Sequence, residues 1–358
     1  MKKLDRPKDS RSVRPTRLAA LAFATAAAAA TIVAGQAIAA SPLERASHPN
    51  EVKFKKPKLR QGELTIKGTK GDDKITLRLK AGDPETLQVD VRDDGSADFS
   101  FDREDIERID VNARRGDDLV RIDESNGAFT DAIPTKIDGG DGHDNLSGGS
   151  GAETFLGGYG NDSIDGNRGN DLALMGAGDD TFIWDPGDGN DTIEGQGGTD
   201  TMRFNGANVA EQVDVSANGP RLRFFRQPGN VLMDTNDVER VDFNALGGAD
   251  VVTVDNLAGT DVTAVNLELA GTLGGTTGDG AADQVIVNAT DGDDTINVSG
   301  DAASGVRVSG LAATVAILHS EAANDRLHVN TLPGNATVDP GGLAAGAIQL
   351  FVDGVAVP

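Results

Sequence analysis

Between Gly139 and Met202 one short phrase recurs every nine residues, and it restricts what the chain can fold into more than any other stretch of its 358 residues. Two copies show it most clearly: Gly139-Gly140-Asp141-Gly142-His143-Asp144-Asn145-Leu146-Ser147 and Gly157-Gly158-Tyr159-Gly160-Asn161-Asp162-Ser163-Ile164-Asp165. Counted from the first glycine, glycine stands at positions one, two and four, an acid at six and an apolar residue at eight. Further units begin at Gly148, Gly166 and Met175. After two inserted residues, Trp184 and Asp185, the phase resumes at Pro186 and closes with the unit from Gly195. Position six holds Asp144, Glu153, Asp162, Asp171, Asp180, Asp191 and Asp200; position eight holds Leu146, Phe155, Ile164, Ala173, Phe182, Ile193 and Met202.

Each unit reads as a six-residue turn followed by a three-residue strand. The glycines admit positive φ, so several carbonyls can face one small space with no Cβ in the way. In a coil with two units per turn, acids eighteen apart meet on one edge, which pairs Asp144 with Asp162, Asp162 with Asp180, and Glu153 with Asp171. Across the insertion, Asp171 meets Asp191 and Asp180 meets Asp200. Stacked carboxylates with no base between them repel one another. A hard divalent ion with six to eight oxygen ligands relieves the repulsion, and calcium tolerates irregular geometry better than magnesium. One such turn alone would be an ordinary solvated Gly-Asp turn; seven in phase, with acid and apolar positions kept together, are not.

The stretch closely resembles the RTX (haemolysin-type) calcium-binding repeats. The resemblance implies a parallel β-roll with calcium (Ca2+) held in the turns by the seven acids, assisted by the carbonyls of Gly140, Gly142, Gly149, Gly151, Gly158 and Gly160. Glu153 in place of Asp, and Asn167 and Met175 in place of glycine, depart from the family pattern.

Outside the repeats the chain alternates in the manner of strands, as in Leu64-Thr65-Ile66 and Leu87-Gln88-Val89-Asp90-Val91, with no long amphipathic helix. The phrase Asp105-Ile106-Glu107-Arg108-Ile109-Asp110-Val111 returns as Asp237-Val238-Glu239-Arg240-Val241-Asp242-Phe243, and Gly71-Asp72-Asp73-Lys74-Ile75 returns as Gly292-Asp293-Asp294-Thr295-Ile296. The flanks therefore read as related, irregular turns of sheet. The expected fold is all-β: a parallel β-roll at 139–205 inside a longer β-solenoid whose segments span 63–138 and 206–358. The flanking acids Asp73, Asp118, Asp250 and Asp294 are further candidates for the metal, although Asp in a turn needs only its own backbone as partner. The apolar finish at 352–358 is expected to cap the last coil.

Residues 1–39 read as a secretion signal: Lys2, Lys3, Arg6, Lys8, Arg11, Arg14 and Arg17, then an alanine-rich apolar run, then Ala37-Ile38-Ala39 for a signal peptidase. Export to the extracellular space or cell surface follows. Residues 40–62 read as a basic, flexible leader, with attachment to an acidic cell-wall or other extracellular polymer as its sharper use. The net charge of −24 becomes −29 without residues 1–39, which hold seven bases and two acids, and this disfavours nucleic acid and anionic membranes and favours cations. With no cysteine, stability must come from packing, sheet hydrogen bonds or metal.

Catalytic constellations are missing from the sequence. None of His48, His143, His319 and His328 begins a zinc-protease helix, and Gly148-Gly149-Ser150-Gly151-Ala152 lacks the last glycine of a nucleophile elbow. No dinucleotide fingerprint is complete, and apart from the signal no apolar run is long enough to enter a bilayer. The expected function is a non-catalytic, calcium-dependent surface, matrix or scaffold protein. The alternative is a β-helical carbohydrate-active enzyme, a lyase or epimerase, with Arg221, Arg223, Arg226, Phe224 and Phe225 as a sugar-acid subsite. A single Trp and a single Tyr give it little aromatic platform.

Overall fold

A computed structural model describes residues 54–358; the expected signal and most of the expected leader lie outside the described residues. The chain winds as a β-solenoid in which each coil gives one strand to each of two sheets, one of 15 strands and one of 14. In the repeats Thr135–Asp141, Thr154–Tyr159, Leu172–Ala177 and Thr192–Gly197 lie parallel in the first sheet. Asn145–Ser147, Ser163–Asp165, Thr181–Trp184 and Thr201–Asn205 lie parallel in the second.

The register explains the position-eight pattern. Phe155 stands opposite Ile137 and Ala173 in the first sheet, and Ile164 stands opposite Leu146 and Phe182 in the second. All seven position-eight side chains are fully buried between the sheets. Each large apolar side chain so buried contributes roughly 1.5–3 kcal/mol relative to exposure. The two inserted residues widen one coil. Trp184 enters the core there, stacked on Phe204 at 3.9 Å between ring centroids, and its Nε1 donates to the Gly189 carbonyl at 2.9 Å.

First-sheet strands in the repeats run to six or seven residues, longer than expected, because pairing continues through the next unit's opening positions: Gly158 pairs with Gly140 and Gly176. The flanks share both sheets with the roll, so 138/139 and 205/206 mark a change in coil length and not a break in the ladder. Antiparallel excursions lengthen the flanking coils. Lys74–Lys80 is followed by Asp83–Asp90 and Phe99–Asp102, Gln212–Asn218 by Arg221–Gln227 and Val231–Asn236, and Thr295–Asp301 by Gly305–Ser309 and Thr314–Leu318.

Both solenoid ends fold back on themselves. Lys58–Arg60, expected within the leader, is instead an edge strand antiparallel to Glu63–Lys67. The turn between them has positive φ at both Gln61 (50°) and Gly62 (75°), the geometry that two-residue hairpins favour, and it sets Leu59 opposite Leu64. At the other end Val355–Ala356 turns back on Gln349–Val352. Among the described residues no helix is long and apolar enough to cross a membrane.

Candidate metal centre

The position-six acids form two rails along the edges of the roll. On one, the backbone N–H of Asp144 donates to Asp162 Oδ1 (2.8 Å), that of Asp162 to Asp180 Oδ1 (2.7 Å) and that of Asp180 to Asp200 Oδ1 (2.9 Å). On the other, Glu153 N–H donates to Asp171 Oδ1 (2.7 Å) and Asp171 N–H to Asp191 Oδ1 (2.9 Å). These are the pairs that the spacing of eighteen, or twenty across the insertion, brings together. Beside the first rail runs an exposed ladder at position five, where Asn161 N–H donates to His143 Nδ1 and Asp179 N–H to Asn161 Oδ1.

One oxygen of each carboxylate is thus spoken for. The other is not. Oδ2 of Asp144, Asp162, Asp171, Asp180, Asp191 and Asp200, and Oε1 of Glu153, are buried without a hydrogen-bond partner. Leaving such an atom bare costs roughly 1–3 kcal/mol, more when it is charged. Burial, with neighbouring acids adding to it, pushes the carboxyl of Asp144 up to about 6 and those of Asp180 and Asp191 up to about 7. Without a counter-charge Asp180 and Asp191 stay partly protonated near neutrality.

Backbone carbonyls share this space. A Cβ on Gly157 would meet Asp162 Oδ2 at 2.6 Å and overlap the Met175 carbonyl; one on Gly139 would meet the Gly157 carbonyl at 2.8 Å and overlap Asp144 Oδ2. The position-two and position-four carbonyls run along the rail. Those of Gly140, Gly142, Gly151, Gly158 and Gly160 each abut the glycine one coil on, Gly158, Gly160, Gly169, Gly176 and Gly178, too closely to admit a Cβ. Gly149 differs, since its carbonyl accepts from Arg168 N–H (3.1 Å) and its own N–H donates to Glu153 Oε2 (2.8 Å). Asn167 takes the left-handed backbone that glycine would (φ 57°), and Met175 buries its side chain in the core.

Among the described residues no three His, Cys, Asp or Glu side chains converge on one point. A cation here would therefore be held by one or two carboxylates and several carbonyls. Bare buried carboxylate oxygens beside carbonyls, with no Lys or Arg paired to them, match the oxygen-rich surroundings that calcium takes. The position-one residues Gly139 and Gly157, absent from the sequence-derived set, belong to the same cradle.

The rails also run past the repeats. Asp73 N–H donates to Asp118 Oδ1 (2.6 Å) and Asp118 N–H to Asp144 Oδ1 (2.8 Å); Asp200 N–H donates to Glu239 Oε2 (2.7 Å). Glu211, Asp250, Asp283 and Asp325 continue in the same way, at 2.7, 2.8 and 3.1 Å. Asp294 stands apart, satisfied by Thr290 N–H and Oγ1 within its own turn.

The arginines of the alternative sugar-acid subsite are committed elsewhere. Arg221 donates to Asp234 and Glu194, both at 2.7 Å, Arg223 to Asp214 at 2.8 Å and Arg226 to Glu211 at 2.6 Å. Phe224 is in the core, and Phe225 lies beneath the Arg223 guanidinium. No protein-family model matches the chain, and no curated protein matches it.

Proposed function

We propose that the chain is an exported calcium-binding protein of the RTX-repeat kind, with a surface, matrix or scaffold role and no catalytic centre of its own. One observation carries this reading: the repeats hold a row of buried carboxylate oxygens without hydrogen-bond partners, and those of Asp144, Glu153, Asp162 and Asp200 lie beside backbone carbonyls. Calcium bound there would be held by Asp144, Asp162, Asp180 and Asp200 on one rail and by Glu153, Asp171 and Asp191 on the other. It supplies the counter-charge that lets these acids stay ionised in a dry turn, so its binding energy becomes folding energy for the segment. The basic start, apolar run and Ala37-Ile38-Ala39 support export, and the committed arginines support the absence of a sugar-acid site.

Titration calorimetry with circular dichroism on the chain tests the reading. Binding is expected in the range of about 10⁻⁴ to 10⁻³ M typical of extracellular sites. No heat and no spectral change at several times that concentration would overturn it. Turnover of casein or of a uronate polysaccharide that disappears with Arg223→Ala would replace the scaffold role with the enzymatic one.

A further inference from the structure

We propose that a divalent cation also binds outside the repeats, at Asp250 in the C-terminal flank; the proposal rests on the calcium reading of the roll for the identity of the ion. The bare oxygens of the rails have a local cause. Asp118, Asp144, Asp162, Asp171, Asp180, Asp191, Asp200 and Asp250 all leave Oδ2 buried and unpartnered. The residue four before each one has positive φ: Arg114 (90°), Gly140 (111°), Gly158 (115°), Asn167 (57°), Gly176 (113°), Gly187 (119°), Gln196 (72°) and Leu246 (67°).

At four other acids that residue lies outside the left-handed region, and its N–H donates to the acid's side chain four residues on. Thr69 donates to Asp73 (2.5 Å), Ala207 to Glu211 (3.2 Å), Thr290 to Asp294 (2.9 Å) and Glu321 to Asp325 (2.6 Å). The backbone thus chooses between two kinds of turn. In one the acid takes a hydrogen bond from its own loop, and in the other Oδ2 is left for something else; Glu153, longer by a methylene, accepts Gly149 N–H on Oε2 and still leaves Oε1 bare. Glycine makes the second choice freely, but a leucine at φ 67° gives up roughly 1–2 kcal/mol. Leu246 bears that strain, and its effect is to leave Asp250 Oδ2 bare.

The surroundings of Asp250 repeat those of the roll. Asp250 is 1% exposed; its Oδ1 accepts from Glu211 N–H at 2.7 Å and its own N–H donates to Asp283 Oδ1 at 2.8 Å. The carbonyl of Val209 abuts Gly248 as that of Gly142 abuts Gly160. The charges that act on Asp250 are Asp283, Glu211 and Asp279, all acidic. Of these, Glu211 is neutralised by Arg226, and Asp279 spends Oδ2 on Gly248 N–H and Oδ1 on Ala281 N–H. What remains is a bare carboxylate oxygen, a second carboxylate at Asp283 and a carbonyl, an all-oxygen set suited to calcium.

Hydrogen exchange on the full chain, with and without calcium, separates this proposal from the reading of the roll. At calcium about ten times Kd, exchange is expected to slow about tenfold by mass action in 139–202 and, separately, in 246–288. Asp250→Asn should abolish the second response and leave the first. Leu246→Gly, which keeps the left-handed turn, should retain both. Should Asp250→Asn not fold, Asp283→Asn is expected to lose the flank response in its place. A response in the roll alone, or a flank response that survives both Asn variants, overturns the Asp250 site and leaves the roll reading standing. A flank response alone overturns the roll reading and keeps the site, and no response anywhere overturns both.

Discussion

Arg226 Nε donates to Glu211 Oε1 at 2.6 Å, and both side chains are almost wholly buried. Among the described rail acids Glu211 alone is paired with a base. The guanidinium lies over the Trp184 ring at 5.5 Å and gives a further hydrogen bond to the Pro228 carbonyl. Here the counter-charge is part of the chain. Arg226→Met should cost about 3–5 kcal/mol in denaturant unfolding, because it strands a buried carboxylate. Adding Glu211→Met should recover most of that loss, and a neutral single variant would show that Glu211 does not need its partner.

Asp162 and Asp73 separate binding from folding. Asp162 donates to one neighbouring coil, accepts from another and leaves Oδ2 bare; Asp73 receives Thr69 N–H on Oδ2. Asp162→Asn should weaken calcium binding about tenfold, on the order of 1.4 kcal/mol, with Asp73→Asn close to neutral by calorimetry. Equal effects would mean that the bare oxygens are not the ligands.

The pH dependence should reverse with metal. Asp118, Asp180 and Asp191 sit at about 7 when folded, well above the ordinary value of 3.8, chiefly through burial. The folded state then binds more protons than the unfolded one. The stability this confers is fully present below about pH 4 and is lost as pH rises through about 7. In chelator the melting temperature should therefore fall between pH 5 and pH 8. In calcium it should rise or stay level over the same range, since the ion competes with protons for the same oxygens. Parallel melting curves in both conditions would count against metal in the turns.

Gly160 and Gly187 have nearly the same backbone, φ 120° and 119°, but a Cβ on Gly160 runs into the Gly142 carbonyl while one on Gly187 meets nothing within 4 Å. Gly187→Ala should cost only the backbone term of about 1–2 kcal/mol. Gly160→Ala should cost clearly more, read from unfolding in saturating calcium. Similar losses would mean that the stacked carbonyls can move aside.

Much of the fold was legible because one spacing survives where the glycines do not. An acid followed two residues later by a buried apolar side chain occurs at Asp73 and Ile75, Asp118 and Val120, Asp250 and Val252, Asp283 and Val285, and Asp325 and Leu327, just as at Asp144 and Leu146. That pattern marks the flank rails, and the double-glycine signature concealed it. The antiparallel excursions were not legible, since alternation of buried and exposed residues is the same whichever way the neighbouring strand runs. Nor were the fates of Arg221, Arg223 and Arg226, whose acidic partners come from other strands. The left-handed backbone at Arg114, Gln196 and Leu246 carries no residue signal at all; it follows from their place in a coil whose neighbours impose the turn.

The rails have a direction. Each N–H donates to an acid in the coil that follows in sequence: Asp118 to Asp144, Asp162 to Asp180, Asp250 to Asp283. A coil is therefore complete only once its successor exists, and a chain emerging from its N-terminus always carries one unfinished donor at its growing end. Shortening the chain from its two ends is then not equivalent. A cut after residue 205 takes Glu239 from the Asp200 N–H, while a cut before a coil frees a carboxylate oxygen and takes the carbonyl acceptor from the residue after the acid, as Asp144 O serves Ser163 N–H at 2.8 Å. Like the teeth of a zip fastener, the rail acids engage one coil at a time, each carboxylate catching the coil before it.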